Sequence, residues 1–567
     1  MTPLARAARR VLSIALTSIV LSTSCSASED AAPRPTVSEE RTPVVARALR
    51  SQRWFRRACR LPARVLRRVD RGLYPGRSPD VTTVASKFSS FGGLVATSHS
   101  GPWGYLQRIP IVLYGPGFIR PRGELVVGQR PTLADLAPTV AELLGTEWPE
   151  DRPGRPLREA LVPERRRPGA PRLVVTLVWD GGGWNVLDAW PHSWPYLATL
   201  MERGTSVAGG TVGSSPSVTP SAHATIGTGA WPRVHGIVDI PLRDGERVVD
   251  SFPGLTPRYL ELSTLADRFD RAADNRSKVA MLAEDGWHLG MMGHGAYDDG
   301  GDKDIALMID RSTAEMLTNE EWYRLPSFLP ETEGLSADVR AVDASDGRLD
   351  GLWMGNDVLE DPSSVYFTPA WTLYQQRLVE RLLRVEGLGG DDVPDLLYVN
   401  SKQIDHVGHQ HNMLSPEMDE TLRITDGVLH DLVRALNDTV GKRKWVLLVT
   451  ADHGQTPLPE STGGWPIDID ALTPTLEEHF GVQADELVLD ERPVGMWLDN
   501  ATLQEKGITT DDVASYLTDL RARDNLERSE LPALYHDRMD ERLFAAAFPT
   551  ERMADVLACS REAERGQ

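Results

Sequence analysis

The sequence predicts a doubly wound α/β fold with a largely parallel sheet, and two regularities carry the prediction. Four apolar runs, IPIVLYG (109–115), LVVTLVW (173–179), PDLLYVN (394–400) and WVLLVTA (445–451), each end in or beside a polar residue of a candidate motif. Strands of a parallel sheet covered on both faces read this way, and their carboxyl ends are where such folds place a site. Between the runs, PTLADLAPTVAELLG, SWPYLATLMERG and PEMDETLRITDGVLHDLVRAL repeat apolar residues at i, i+3 and i+4, the spacing of helices with one buried face. Alternation of the two predicts helices on both faces of the sheet. The 567 residues suit one large domain of this kind with insertions.

In chain order, the first element is an export signal over residues 1–28. Arg6, Arg9 and Arg10 precede an apolar run from Val11 to Leu21, too short to span a bilayer and suited to the hydrophobic part of a signal peptide. The protein is therefore expected outside the cytoplasm, extracellular or attached to the cell surface. Cys25 is a candidate for lipidation and hence membrane attachment, although Ser22 stands where a lipoprotein signal prefers a large aliphatic side chain. The segment 29–77 is rich in arginine: Arg41 to Arg77 holds twelve Arg and one Asp, in a chain of formal charge -20. Val45, Leu49, Leu61, Val65 and Val69 recur there at helical intervals. This reads as helices packed on the main domain with solvated arginines; binding to an anionic membrane surface is the second reading. The negative charge of the whole disfavours nucleic acid as a partner. Cys59 and Cys559 are the remaining cysteines; one bridge between them is allowed, and nothing in the sequence demands it.

Seven candidate metal ligands fall into five islands: His99 in ATSHSGPWGYLQRIPIVLYGPG, Asp180 in LVVTLVWDGGG, Thr219 in SPSVTPSAHATIGTG, Asp405 and His409 in QIDHVGH, and Asp452 and His453 in VTADHGQ. Two divalent ions about 4 Å apart neutralise the attacking and leaving oxygens of a phosphorus ester, so these residues predict a two-metal hydrolase of small phosphate esters. Asp405, His409 and His99 would hold one ion; Asp180, Asp452 and His453 would hold the other, with Thr219 as a further ligand. Carboxylate and imidazole donors without thiolate suit zinc, with manganese the alternative. Coordination would lower the pKa of the Thr219 hydroxyl and make it the nucleophile for covalent phosphoryl transfer. Thr219 also opens the helix-like TPSAHATIGTG, whose N-terminus favours a phosphoryl anion. His223, one turn on, is expected to be structural.

These strings resemble the type I phosphodiesterase/nucleotide pyrophosphatase branch of the alkaline phosphatase superfamily. They comprise an apolar strand ending in Asp-Gly, a Thr four residues before a His, Asp-x-x-x-His, and Asp-His-Gly after an apolar strand. Each is weak alone; their order from Asp180 to His453 is the signal. The resemblance covers about 78–170 and 171–459, and implies an alkaline-phosphatase-like fold with a cap inserted at about 239–393. In the family, a stretch like ATSHSGPWGYLQRIPIVLYGPG and its following helix and GRPL come near the end of the chain; here they precede Asp180. The order implies a circular permutation, with 78–170 the permuted C-terminal part plus linker and 171–567 the main part. Folds tolerate this because chain termini lie near each other at the surface. The alternative is that 78–157 is an unrelated packing module and His99 an ordinary loop histidine.

The cap interval has EDGWHLGMMGHGAYDDGGDKD at its centre. Trp287, His288, His294 and Tyr297 are its candidate substrate-lining residues, while DDGGDKD does not match an EF-hand loop and reads as a solvated acidic turn. Ile240 stands where the family carries an Asn on a phosphoryl oxygen, and Glu284 and Gly286 where its monoesterases carry a Lys and an Arg. The resemblance therefore implies a phosphodiesterase in preference to a phosphomonoesterase. A sulfatase would need Cys or Ser where Val218 stands, and a non-catalytic surface-binding protein on the same fold would have no need of all seven ligands.

Overall fold

The computed structural model describes residues 48–565 except 92, 93, 95, 96 and 330–333. The export signal at 1–28, Cys25 and the first part of the arginine-rich segment lie outside the described residues.

Leu173–Trp179 runs through the centre of a nine-stranded sheet, and all seven of its residues are buried. Asp395–Ser401 and Trp445–Thr450 flank it in parallel. Their side chains divide by strand alternation. Val174, Val178, Tyr398 and Leu448 enter one apolar core, which holds the helix Leu136–Leu144; Val175, Leu177, Val399 and Leu447 enter a second, which holds the helices Ala370–Arg381 and Pro416–Leu436. Two-sided burial explains the unbroken apolar runs and defines the fold as α/β with helices on both faces.

Outward from Trp445–Thr450 come Ile111–Tyr114, Thr205–Val207 and Gly123–Leu125. Ile111–Tyr114 pairs antiparallel with Trp445–Thr450, so the early segment is built into the sheet. On the other side, Val279–Ala283 and Ile305–Ile309 extend the sheet in parallel, followed by Met316–Leu317. The interval 239–393, read from the sequence as an inserted cap, therefore contributes strands to the central sheet. VAMLA and IALMI are fully buried runs of five residues, too short to stand out between Asp- and Gly-rich neighbours.

A smaller four-stranded antiparallel sheet has the order Val488–Arg492, Gly495–Leu498, Val81–Ala85, Phe544–Pro549. Its core takes Trp54, Phe55, Leu66 and Val69 from the helices Arg53–Ala58 and Ala63–Gly72, and a Cys59–Cys559 disulfide ties these to the last helix, Met553–Arg565. Not all the arginines of these helices are solvated as read from the sequence: Arg57, Arg68 and Arg71 are part-buried and donate to the carbonyls of Phe544, Pro102 and Gly213. Among the described residues no helix is long and apolar enough to cross a membrane.

Candidate active site

Register brings the site together. Ser401 pairs with Trp179, and Thr450 with Val178, so Asp180, Lys402 and Asp452 emerge side by side at the carboxyl ends of three adjacent strands. Gly181 then turns with φ +71°, and a Cβ there would lie 2.9 Å from the Asp405 Cα; a side chain would push the strand away from the helix Gln403–His411 that carries Asp405 and His409. Thr219 is the first residue of the buried helix Thr219–Thr228.

The tautomers of two histidines follow from their partners. His99 Nδ1 donates to the Ser217 carbonyl at 3.0 Å, and His453 Nδ1 to the Gly454 carbonyl at 3.1 Å. Both Nε2 lone pairs are left facing carboxylates, and the two rings stack at 3.6 Å. His99 Nε2 lies 3.6 Å and His409 Nε2 3.3 Å from Asp405 Oδ1. His453 Nε2 lies 3.4 Å from Asp452 Oδ2 and 3.5 Å from Asp180 Oδ1. Ligands of one ion at 2.0–2.1 Å in a tetrahedron are about 3.3 Å apart. Among the described residues Asp405 Oδ1, Asp452 Oδ2 and His453 Nε2 are buried without hydrogen-bond partners, and Nδ1–H held by a carbonyl is the usual brace of a ligating imidazole. The residues present therefore fit divalent metal.

Lys402 was not among the residues singled out from the sequence. Its Nζ donates to Asp180 Oδ1 at 2.7 Å and to Thr219 Oγ1 at 2.8 Å, and stands 2.9 Å from Asp405 Oδ2. The signal that would have found it is its place one residue past PDLLYVNS, where register sets it beside Asp180. Burial would lower its pKa, but Asp180, Asp405 and Asp452 outweigh this and raise it, so the ammonium stays charged. In return, burial of Asp180 and Asp405 is outweighed chiefly by Lys402, and both are held well below the carboxylate range. Burial and the neighbouring Asp180 push Asp452 up to about 7. Three carboxylates facing one ammonium leave negative charge for a cation to neutralise.

His223 Nδ1 donates to the Thr219 carbonyl at 2.8 Å, and its Nε2 accepts from Asn400 Nδ2 at 3.0 Å; Asn400 also donates to Asp180 Oδ2. Of the four residues read as lining the substrate, His288 reaches the site: it is fully buried with Nε2 3.7 Å from Asp180 Oδ2. Trp287 donates to Asp250 instead. His294 has neither nitrogen to offer a ligand, since Nδ1 pairs with Asp267 and Nε2 meets the Leu260 carbonyl. Tyr297 is 40% exposed and stacks on His294. Glu284 is buried, accepts from Gln403 at 2.6 Å, and is pushed up to about 7 by burial.

A cluster of carboxylates and imidazoles around a buried Thr hydroxyl, at the strand ends of a doubly wound sheet, defines a metal-dependent hydrolase of phosphate esters. The chain belongs to the type I phosphodiesterase / nucleotide pyrophosphatase family, whose profile matches residues 174–563. It is similar to alkaline phosphatase PafA of Elizabethkingia meningoseptica, 24% identical over 404 residues, which covers 62% of this chain and 73% of that protein. Alkaline phosphatase PhoV of Synechococcus elongatus is 27% identical over 331 residues, covering 51% of this chain and 60% of PhoV. The crystal structure of PafA superposes with a TM-score of 0.48 at 19% identity, over 61% of this chain and 76% of that one. The chain is thus a phosphoric ester hydrolase of the alkaline phosphatase superfamily, a group that implies divalent metal ions.

Proposed function

We propose that this chain hydrolyses phosphate esters through a covalent phosphothreonine on Thr219, with diesters preferred. The observation that carries this reading is the Thr219 hydroxyl, buried at a helix N-terminus and held 2.8 Å from the Lys402 ammonium. In the first step the Thr219 Oγ–P bond forms as the P–O bond to the leaving alcohol breaks, and the hydroxyl proton ends on that alcohol. In the second, water attacks phosphorus and the Oγ–P bond breaks; the water's OH stays with phosphate and its proton returns to Thr219. Lys402 stabilises the developing alkoxide, and the helix N-terminus faces the phosphoryl oxygens. Divalent ions held by His99, Asp405 and His409, and by the Asp180, Asp452 and His453 donors, would neutralise charge on the reacting oxygens; zinc suits these donors, with manganese the alternative.

Glu284 brings no positive charge to the position where monoesterases of the family carry a cation, which supports diesters. Monoester hydrolysis is the second reading, favoured by the alkaline phosphatases among the relatives. Placement of His99 beside Asp405, and of Ile111–Tyr114 within the central sheet, supports reading 78–157 as the permuted part of the catalytic domain. The disulfide supports export, because such bonds persist in oxidising compartments. Thr219→Ala tests the nucleophile: the metal-loaded variant should lose nearly all turnover of bis-nitrophenyl phosphate and form no phosphoenzyme on acid quench. Turnover within tenfold of the parent would exclude it.

A further inference from the structure

Four arginines of the helix Ala63–Gly72 stand at i, i+3, i+4 and i+7: Arg64, Arg67, Arg68 and Arg71. Its apolar residues Leu66 and Val69 pack into the small-sheet core, so the arginines share the other face. That face lines a cleft of about 270 Å³, which Arg130 and Arg155 enter from two later loops. Among the described residues none of these six arginines forms an ion pair, whereas Arg50, Arg53 and Arg77 of the same segment pair with Glu562, Asp519 and Glu261. The one acid in the cleft, Asp135, is spent on the backbone amides of Thr132 and Arg155. Like charges on one helix face repel, and in a chain of net charge -20 such a concentration of unneutralised cations is not a by-product of composition. Burial and the neighbouring Arg64, Arg71 and Arg130 pull Arg68 down to about 10.

We propose that this cleft is a second binding site, separate from the Thr219 centre, for an anion of phosphate chemistry carrying several charges. Guanidinium forks match phosphate oxygens in pairs, and the volume is below that of a drug-sized pocket, which suits a short phosphate chain or a single headgroup. Among the described residues the Arg67 and Arg130 side chains have no hydrogen-bond partner, so both can close on such a ligand. The cleft also shares a wall with the catalytic loop. Arg71 donates to the Gly213 carbonyl, the Arg68 carbonyl accepts from Ser215, and the Ser217 carbonyl holds His99. A bound anion would thus brace the stretch that leads into Thr219.

The test compares Thr219→Ala, metal-loaded so that the probe is not turned over, with the same protein carrying Arg67→Gln and Arg130→Gln. Among the described residues neither side chain makes a hydrogen bond or ion pair whose loss would unfold the chain. Calorimetric titration with pyrophosphate should show two equivalents bound in the first protein, and a loss of at least tenfold in affinity for one of them in the second. In the active parent, the two Gln substitutions should leave turnover of a small chromogenic diester unchanged in the absence of added anion. A second arm uses phosphatidylglycerol vesicles: arginine-dependent sedimentation with vesicles, in place of pyrophosphate binding, identifies a lipid headgroup as the source of the same phosphate chemistry. If neither probe's binding depends on the two arginines, the site is overturned.

Discussion

Lys402 Nζ and Thr219 Oγ1 stand 2.8 Å apart, and the same ammonium reaches Asp180 and Asp405. Two of the donors that the family resemblance gives to a metal ion, the Thr219 hydroxyl and Asp180 Oδ1, are therefore already met by a fixed cation.

Lys402→Met should lower kcat on a diester by about two to three orders of magnitude, the usual cost of losing one donor to a developing oxyanion. Elemental analysis should find two divalent equivalents in both proteins, which assigns the rate loss to the missing ammonium; an equivalent lost from the variant would assign it to the metal instead.

His99→Ala removes an Nε2 donor 3.6 Å from Asp405 Oδ1. Metal affinity should fall by more than about tenfold, at least what loss of an outer brace costs, with the fold retained by circular dichroism. Unchanged metal content would make His99 the ordinary loop histidine of the alternative reading.

His235 is buried and neutral, its pKa lowered to about 3 by burial. An unfolded histidine takes a proton near 6.5, so the unfolded state binds more protons between those values and stability falls as pH drops through that window. From pH 8 to pH 5 this group should account for a loss of about 2 kcal/mol. Urea unfolding at the two pH values, with His235→Gln as control, measures it; an equal loss in the control would assign the effect elsewhere.

Cys59 and Cys559 close a loop with a sequence separation of 500. Cys59→Ser should cost about 2–5 kcal/mol and lower Tm while leaving diester turnover at 25 °C within twofold. An unchanged melting curve would mean that the bridge adds no stability.

The parallel strands around Asp180 were legible because burial on both faces forces unbroken apolar runs, and the first polar residue past each run must lie at the sheet's carboxyl edge. LVVTLVW and WVLLVTA therefore announced Asp180 and Asp452, and a helix-spaced Asp-x-x-x-His announced Asp405 and His409. VAMLA and IALMI were not legible, since five apolar residues are too few to distinguish a strand from a loop. Three features were decided by tertiary structure alone. Lys402 stands beside Asp180 through the register of two strands that are more than two hundred residues apart in sequence, and no local pattern encodes that register. Val81–Ala85 lies between Gly495–Leu498 and Phe544–Pro549 because an edge of unpaired amides is satisfied by whichever strand the fold delivers to it. His294, which looked available in a loop of His and Gly, is consumed by Asp267 and a carbonyl: a side chain's chemistry is written in the sequence, but whether its lone pairs are free depends on what packs against it.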